Sequence, residues 1–252
     1  MPDLAASDAI RPLQTALTVA KFVRLDGAAM RAALCSGVDT SRSLADWDAF
    51  QASWDRLGPD AYMADGGRYR RRRHAVFVAH DTGAITRAPH QPHYQSRDYN
   101  TLNGGIERWF EPVEDAAATG ASCAALLSFC RDVFSRVAPG PQPWAIEMHQ
   151  FRIEAKPGHA GKPTPEGMHR DGVDFVLVMM IQRRNIKSGQ TIMTAADGTQ
   201  LGRFTLINPF DAVLLDDSHV FHGVTPVEAV DPAVPAFRDV LVLTYRRERA
   251  AD

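Results

Sequence analysis

The chain reads as an α+β protein with a β-sandwich core, because helix-favouring text comes first and a series of short apolar strands follows it. Three observations lead there. Residues 1 to about 60 favour helices, Ala116 to Val137 repeats apolar residues at helical spacing, and from Trp144 onward apolar runs alternate with turn residues. The 252 residues show no repeat and no linker long enough to divide them. The reading is therefore one domain over residues 1–252, with a variable helical part at 1–60, a β-rich core at 61–247 and a supporting helix at 116–137.

Taken in order, Ala28-Ala29-Met30-Arg31-Ala32-Ala33-Leu34-Cys35 favours a helix, and Ser43-Leu44-Ala45-Asp46-Trp47 starts another with Ser43 as its cap. Gly58-Pro59 ends that region, and residues 68–80 form a strand centred on Val76-Phe77-Val78. Residues 81–105, rich in Pro, His, Gln, Asn and Gly, form a loop or irregular strand that closes at Asn103-Gly104-Gly105. In the supporting helix Leu126, Leu127, Phe129, Cys130, Val133 and Phe134 share one face, and Pro139-Gly140-Pro141 stops it. Trp144 to Ala155 alternates loosely, and Phe175 to Ile181 is a buried strand. Shorter strands follow at Thr191 to Thr194, Phe204 to Ile207 and Ala212 to Leu215, then Val240 to Tyr245, with Asp197-Gly198 as a turn.

Bulk composition narrows the function classes. A net charge of -2 gives no pull toward nucleic acid or an anionic membrane surface. Cys35, Cys123 and Cys130 are odd in number and lack metal-ligand spacing, which fits reduced thiols buried as small hydrophobes in a cytoplasmic protein. No basic stretch followed by an apolar run opens the chain, and no segment is long and apolar enough to span a bilayer, so the expectation is a cytoplasmic protein.

The chemistry lies in His169-Arg170-Asp171 and in His222, within His219-Val220-Phe221-His222-Gly223-Val224-Thr225-Pro226. Two imidazoles and one carboxylate on one face of a metal, with three positions open, make the donor set of non-haem Fe(II) oxygenases. On a strand, residues two apart point the same way, so His169 and Asp171 can reach one ion while Arg170 faces away. Alone, His169 and Asp171 also fit a surface turn, and His219 competes with His222 for the distal position; Gly223 and Pro226 after His222 favour the latter. Such a site needs an electron donor, usually 2-oxoglutarate, whose distal carboxylate suits a buried arginine. Arg238, leading into the last apolar strand, is the candidate, against a surface arginine beside Asp239.

Other polar residues are candidates for substrate contact. The run Arg68-Tyr69-Arg70-Arg71-Arg72-Arg73-His74 splits between two faces of a strand, which makes a poor phosphate stripe; a solvated or ion-paired face is expected, with Arg70 or Arg72 turned inward toward a substrate carboxylate. Gln150 and Arg152 share a strand face ahead of the metal motif and could bind an α-amino or α-carboxylate group, or pair across strands. Asp174 could meet an ammonium group or sit in a turn, while Trp109 and Phe110 read as core.

These residues together resemble the Fe(II)/2-oxoglutarate-dependent dioxygenases, and within them the bacterial hydroxylases of free L-amino acids. The resemblance rests on Met168-His169-Arg170-Asp171, on Val220 to Pro226, and on Ala236-Phe237-Arg238-Asp239-Val240-Leu241. Met148-His149-Gln150-Phe151-Arg152 and Tyr94-Gln95-Ser96-Arg97-Asp98-Tyr99-Asn100 add to it. It implies a double-stranded β-helix (a cupin-like jelly roll), Fe(II) held by His169, Asp171 and His222, and 2-oxoglutarate held by Arg238 with Thr244 on the same strand face. The implied reaction uses O2, releases CO2 and succinate, and hydroxylates an sp3 carbon of a free, aliphatic L-amino acid. Three alternatives stand beside it: the same iron chemistry on another small molecule or with sulfoxidation or cyclisation as outcome, an oxygenase of peptides or nucleic acids, and a non-catalytic metal-binding sensor.

Overall fold

A computed structural model describes residues 4–36, 43–80, 83–138, 140 and 143–247. Helix α1 (Leu4–Ala20), strand β1 (Phe22–Leu25) and helices α2 (Gly27–Leu34) and α3 (Trp47–Ala52) come first, and a 3-10 turn (Ser53–Arg56) follows them. Next come β2 (Arg70–Ala79), β3 (Thr86–Arg87), α4 (Asp115–Ala118) and α5 (Ala121–Val137). The β-rich half holds β4 (Trp144–Ala155), β5 (Phe175–Arg184), β6 (Ile186–Ser188), β7 (Thr191–Thr194), β8 (Gln200–Phe204), β9 (Ala212–Asp216), β10 (Phe221–Val224), β11 (Val227–Ala229) and β12 (Ala236–Arg247).

Every strand pairing is antiparallel. The large sheet runs β1-β9-β5-β12-β4-β2-β3, and the smaller ones run β10-β7-β8 and β11-β6. This is a jelly roll. One face of the large sheet packs on the helices, where Leu17, Trp54, Leu126, Phe134, Met148, Leu241 and Tyr245 belong to one continuous core. On its other face lie small aliphatic clusters, one of Val176, Met193, Val213, Leu215 and Val220 and one of Met180, Leu206 and Val240. The helix-covered face thus supplies most of the buried apolar area, and the interior face is left for polar groups.

Several sequence expectations shift by a few residues, each for a local reason. The third helix starts at Trp47 with Asp46, not Ser43, in the N-cap position, and the Asp46 side chain serves another helix. It accepts the Ser122 backbone N–H at 2.8 Å and the Ser122 hydroxyl at 2.6 Å, satisfying donors at the start of α5. The expected helix at 116–137 is accordingly two, α4 and α5, separated at Thr119 and Gly120. It ends at Val137; Pro139 and Pro141 lie outside the described residues. The strand expected at Phe204 to Ile207 runs instead over β8, because the turn at Asp197-Gly198 brings Gln200 opposite Thr194. Cys123 and Cys130 are buried, as expected of small hydrophobes, but Cys35 is only half-buried. No helix among the described residues is long and apolar enough to cross a membrane.

The Asp46 carboxyl is expected to matter for stability. Burial works against its charge, yet the Ser122 bonds and neighbouring backbone donors hold its pKa below the ordinary value. A depressed carboxyl contributes stability above its unfolded pKa and loses it as pH falls through the folded one. Asp46→Ala should cost about 1 kcal/mol near neutral pH, and the deficit should shrink as pH drops below 4. Urea denaturation of both proteins across that range measures it.

Candidate metal centre and substrate cavity

Strand alternation sorts the side chains of the large sheet. On β12, Arg238, Val240, Val242, Thr244 and Arg246 face an interior cavity of about 290 Å³, and on β4 Glu147, His149, Phe151 and Ile153 do the same. β12 pairs with β4 so that Thr244 lies opposite Glu147 and Arg238 opposite Ile153. β2 adds Arg70 and Arg72. Between Met180 and Gln182 the register of β5 against β12 slips, with Ile181 as the extra residue. This bulge reverses the alternation, so Arg183 comes opposite Arg238 rather than facing the helices.

His169, Asp171 and His222 converge at this cavity, their ligand atoms all within 4.8 Å of one another. The cause is a single antiparallel bridge. The His169 N–H donates to the His222 carbonyl at 3.0 Å, and the His222 N–H donates back at 2.8 Å. Residues paired in this way carry their side chains on one side, and the two rings sit 4.5 Å apart. His169 and Asp171 are not on a regular strand; they precede β5 in an irregular segment tied down by Asp217. The Asp217 carboxylate accepts backbone N–H groups from Asp171 (2.9 Å), Gly172 (2.8 Å) and Val173 (3.1 Å). Gly172 has φ +80°, and a Cβ there would stand 2.6 Å from the Tyr99 ring. Only glycine fits that turn without strain.

The donor atoms suit a divalent metal. Nδ1–H of His169 donates to the Gly167 carbonyl at 3.1 Å, which makes Nε2, 3.6 Å from Asp171 Oδ1, the nitrogen that would ligate a metal once its proton is lost. His222 Nε2 lies 3.6 Å from Asp171 Oδ2. Burial opposes charge on His169, but the Asp171 and Glu166 carboxylates outweigh it and raise its pKa to about 9. Burial and the nearby His169 lower His222 to about 4. Asp171 is held ionised against burial by the two imidazoles. His219 does not join them; it is exposed and paired with Asp216 at 2.8 Å.

A second feature fits a dicarboxylate co-substrate. Arg238 is 2% exposed, forms no ion pair among the described residues, and its Nε has no partner. Burial and the charge of Arg183 lower its pKa to about 10, with Asp239 opposing. A buried guanidinium without a counter-ion is costly unless an anion meets it. Thr244 faces the same cavity six residues, or three alternations, further along β12.

The remaining candidates divide by strand parity. Arg70 and Arg72 turn inward: Arg70 Nε binds the buried Asp60 at 2.7 Å, and the Arg72 guanidinium lies over the Phe110 ring at 3.6 Å. Arg71 and Arg73 turn outward to Glu154 and Glu111. Gln150 and Arg152 point away from the cavity, because their even positions on β4 face the helices. Gln150 donates to the Ser53 hydroxyl at 2.7 Å, and Arg152 pairs with Asp239 and Asp55, both at 2.7 Å. Asp174 also lies outside, bound to Arg247 at 2.9 Å. Phe110 is buried as expected, but Trp109 is half exposed beside His90. The cavity instead brings in Glu147, His149, Arg108, Gln95 and Glu166, none singled out in the sequence as a site residue. Gln95 donates to the Asp171 carbonyl at 3.0 Å. Glu147 and His149, two apart and so on one face of the strand, were the available signal.

Metal uptake should expel a proton. With His169 charged in the metal-free protein and its lone pair required for ligation, binding of one divalent ion near pH 7 should release about one proton. The release should fade as pH rises past about 9. Calorimetric titration of Co(II) in buffers of different ionisation enthalpy measures it, and His169→Ala should abolish both binding and release.

The comparisons agree with this geometry. The description "2OG-Fe dioxygenase" belongs to the family profile that matches residues 51–244. The chain is 24% identical over 207 residues to 3(1)-hydroxy-L-isoleucine 4-dioxygenase of Pantoea ananatis, covering 81% of this chain and 82% of that protein. It is 23% identical over 198 residues to L-isoleucine-4-hydroxylase of Bacillus thuringiensis, covering 77% and 80%. A crystal structure of a bsmA homolog from Methylobium petroleophilum PM1 superposes with a TM-score of 0.83 at 41% identity, covering 96% of this chain and 93% of that one. The chain belongs to the 2OG-Fe dioxygenase family, whose members use Fe(II), 2-oxoglutarate and O2.

Proposed function

We propose that the chain acts as a single domain that hydroxylates an sp3 carbon of a free, aliphatic L-amino acid. The observation that carries this reading is one cavity holding three kinds of wall. The metal donors stand at one part of it, the unpaired Arg238 at another, and Val178, Val240 and Val242 line an apolar stretch beside the inward Arg70 and Arg72. An aliphatic side chain fits the valines, and a small charged head group fits the arginines. Both named relatives above act on isoleucine or its hydroxylated form, which supports the same substrate class.

In this reading His169, Asp171 and His222 hold Fe(II), and Arg238 with Thr244 holds the distal carboxylate of 2-oxoglutarate. When bound, iron and 2-oxoglutarate supply with O2 the oxidising power for R–H + 2-oxoglutarate + O2 → R–OH + succinate + CO2. The chain's own residues do the rest. Asp217 and the His169–His222 bridge keep the donors in one orientation. Arg238 neutralises its charge against the co-substrate, the valine wall excludes water, and the position of the head group selects which C–H lies nearest the metal. Asp216 and His219 remain outside this machinery.

The reaction is tested by loading Fe(II) and 2-oxoglutarate anaerobically, starting with air, and offering Ile, Leu, Val and Met. Succinate formed together with a product one oxygen heavier is the expected result; succinate without an oxidised amino acid in any of the four removes the substrate assignment. Arg238→Ala should weaken 2-oxoglutarate binding by about 2–5 kcal/mol, since it removes the charged partner of a desolvated carboxylate, while Co(II) affinity stays within twofold or so. Equilibrium dialysis of each ligand distinguishes the two effects.

A further inference from the structure

A carboxylate caged by three imidazoles forms part of the cavity wall. His74 Nε2 lies 3.0 Å and His149 Nε2 3.4 Å from Glu147 Oε2, and His93 Nδ1 makes the closest contact with the same oxygen. Arg72 fixes the ring roles. Its NH2 lies 2.8 Å from His149 Nδ1, and because a guanidinium only donates, Nδ1 accepts and the His149 proton sits on Nε2 facing Glu147. All three rings can donate to Oε2, while among the described residues Oε1 accepts no hydrogen bond, and the Glu147 side chain keeps 23% of its surface exposed. Beside it, Arg108 is 1% exposed with an unpartnered Nε, and Arg72 also has a buried, unpartnered Nε. A free carboxylate oxygen and free guanidinium donors together match an ammonium and a carboxylate on one carbon.

We propose that Glu147 accepts the α-ammonium group of the substrate, that Arg108 with Arg72 takes its α-carboxylate, and that His74, His93 and His149 are positioning residues that aim Glu147. The assignment rests on the free-amino-acid reading above and deepens it. Glu166, the carboxylate at the cavity besides Glu147 and the candidate metal donor Asp171, is a poorer acceptor: its Oε1 stands 3.5 Å from His169 Nε2, where a bound ammonium would crowd the metal donors. A second metal ion among the four caged residues is disfavoured on similar grounds. The donors already contact Glu147 directly, and a dication would face the Arg72 guanidinium bound to His149. The zwitterion adds no net charge, so it can fill this wall without a counter-ion.

Binding is the test, because it separates recognition from turnover. Protein holding Fe(II) and 2-oxoglutarate would be titrated anaerobically with Ile, Leu, Val and Met, each beside the same acid lacking the α-amino group. The wild type should bind at least one amino acid about 10- to 100-fold more tightly than its des-amino partner. Glu147→Gln should lose that preference while the des-amino acid binds as before, and Arg108→Gln should weaken both. The 2-oxoglutarate charge-transfer band and thermal unfolding check that each variant is intact; should Glu147→Gln not fold, Glu147→Asp keeps the charge, shortens the reach and carries the same comparison. Unchanged amino-acid preference in the Glu147 variant would overturn the assignment alone. Equal weakening of both ligands would do so too, as would a second equivalent of Co(II) kept by His169→Ala and lost by His93→Ala. Failure of the wild type to bind any free amino acid would overturn the substrate reading and this assignment together.

Discussion

Everything at this site depends on the pairing of β12 with β4 and β5. Side chains alternate on a strand, so the register of these strands decides which residues enter the cavity and which enter the helix-covered core. Arg238, Val240, Val242 and Thr244 fall on one side, and Asp239, Leu241, Leu243 and Tyr245 on the other. The outer side holds the register: Leu241, Leu243 and Tyr245 are buried against the helices, and the Tyr245 hydroxyl donates to the Leu127 carbonyl at 2.7 Å. Slipping by one residue would bury Arg238 in the apolar core and turn the leucines into the cavity. The cost of exposing that core is what keeps the functional face in place.

The cavity is electrostatically unusual because it holds several arginines and few compensating carboxylates. Among the described residues Asp60 is the acid bound to Arg70 and close to Arg72, and it is kept ionised against burial by their charges. Burial pushes the pKa values of Arg72, Arg108 and Arg238 down, as it must for cations removed from water. Such a surplus is tolerated where anions bind, since the protein then supplies donors already stripped of water. In the proposed reading the distal carboxylate of the co-substrate would pair with Arg238 and a substrate carboxylate with Arg108 and Arg72, so these cations would be met locally one by one. The cost of unpaired cations in the free protein and the proposed affinity for dicarboxylic and amino-acid ligands would be two aspects of one arrangement.

The candidate metal donors show a different solution. Their geometry is set by main-chain bonds more than by packing: the reciprocal His169–His222 bridge, the three N–H groups gathered by Asp217, and the left-handed turn at Gly172 against Tyr99. Backbone bonds fix where Cβ atoms point, which is what a ligand set needs before an ion arrives. Arg170, between the donors, is drawn off to the Ser218 carbonyl and the Phe221 ring, so it does not compete for the same space.

The sequence alone determined the chemistry and the order of elements. The convergence of His169, Asp171 and His222 was legible because metal ligation restricts residue type sharply, and the shared face of Arg238 and Thr244 because parity along one continuous strand is a local property. Helical and strand periodicities were legible for the same reason. Tertiary structure decided what parity alone leaves open, namely which of a strand's two faces is interior. For β4 that choice sent Gln150 and Arg152 toward the helices and Glu147 and His149 into the cavity. Asp174 was drawn away by Arg247, and Arg108 and His93 came in from a loop with no periodicity to read. Faces are assigned by where the long-range apolar core forms, through contacts between segments far apart in the chain, and no window of sequence contains them.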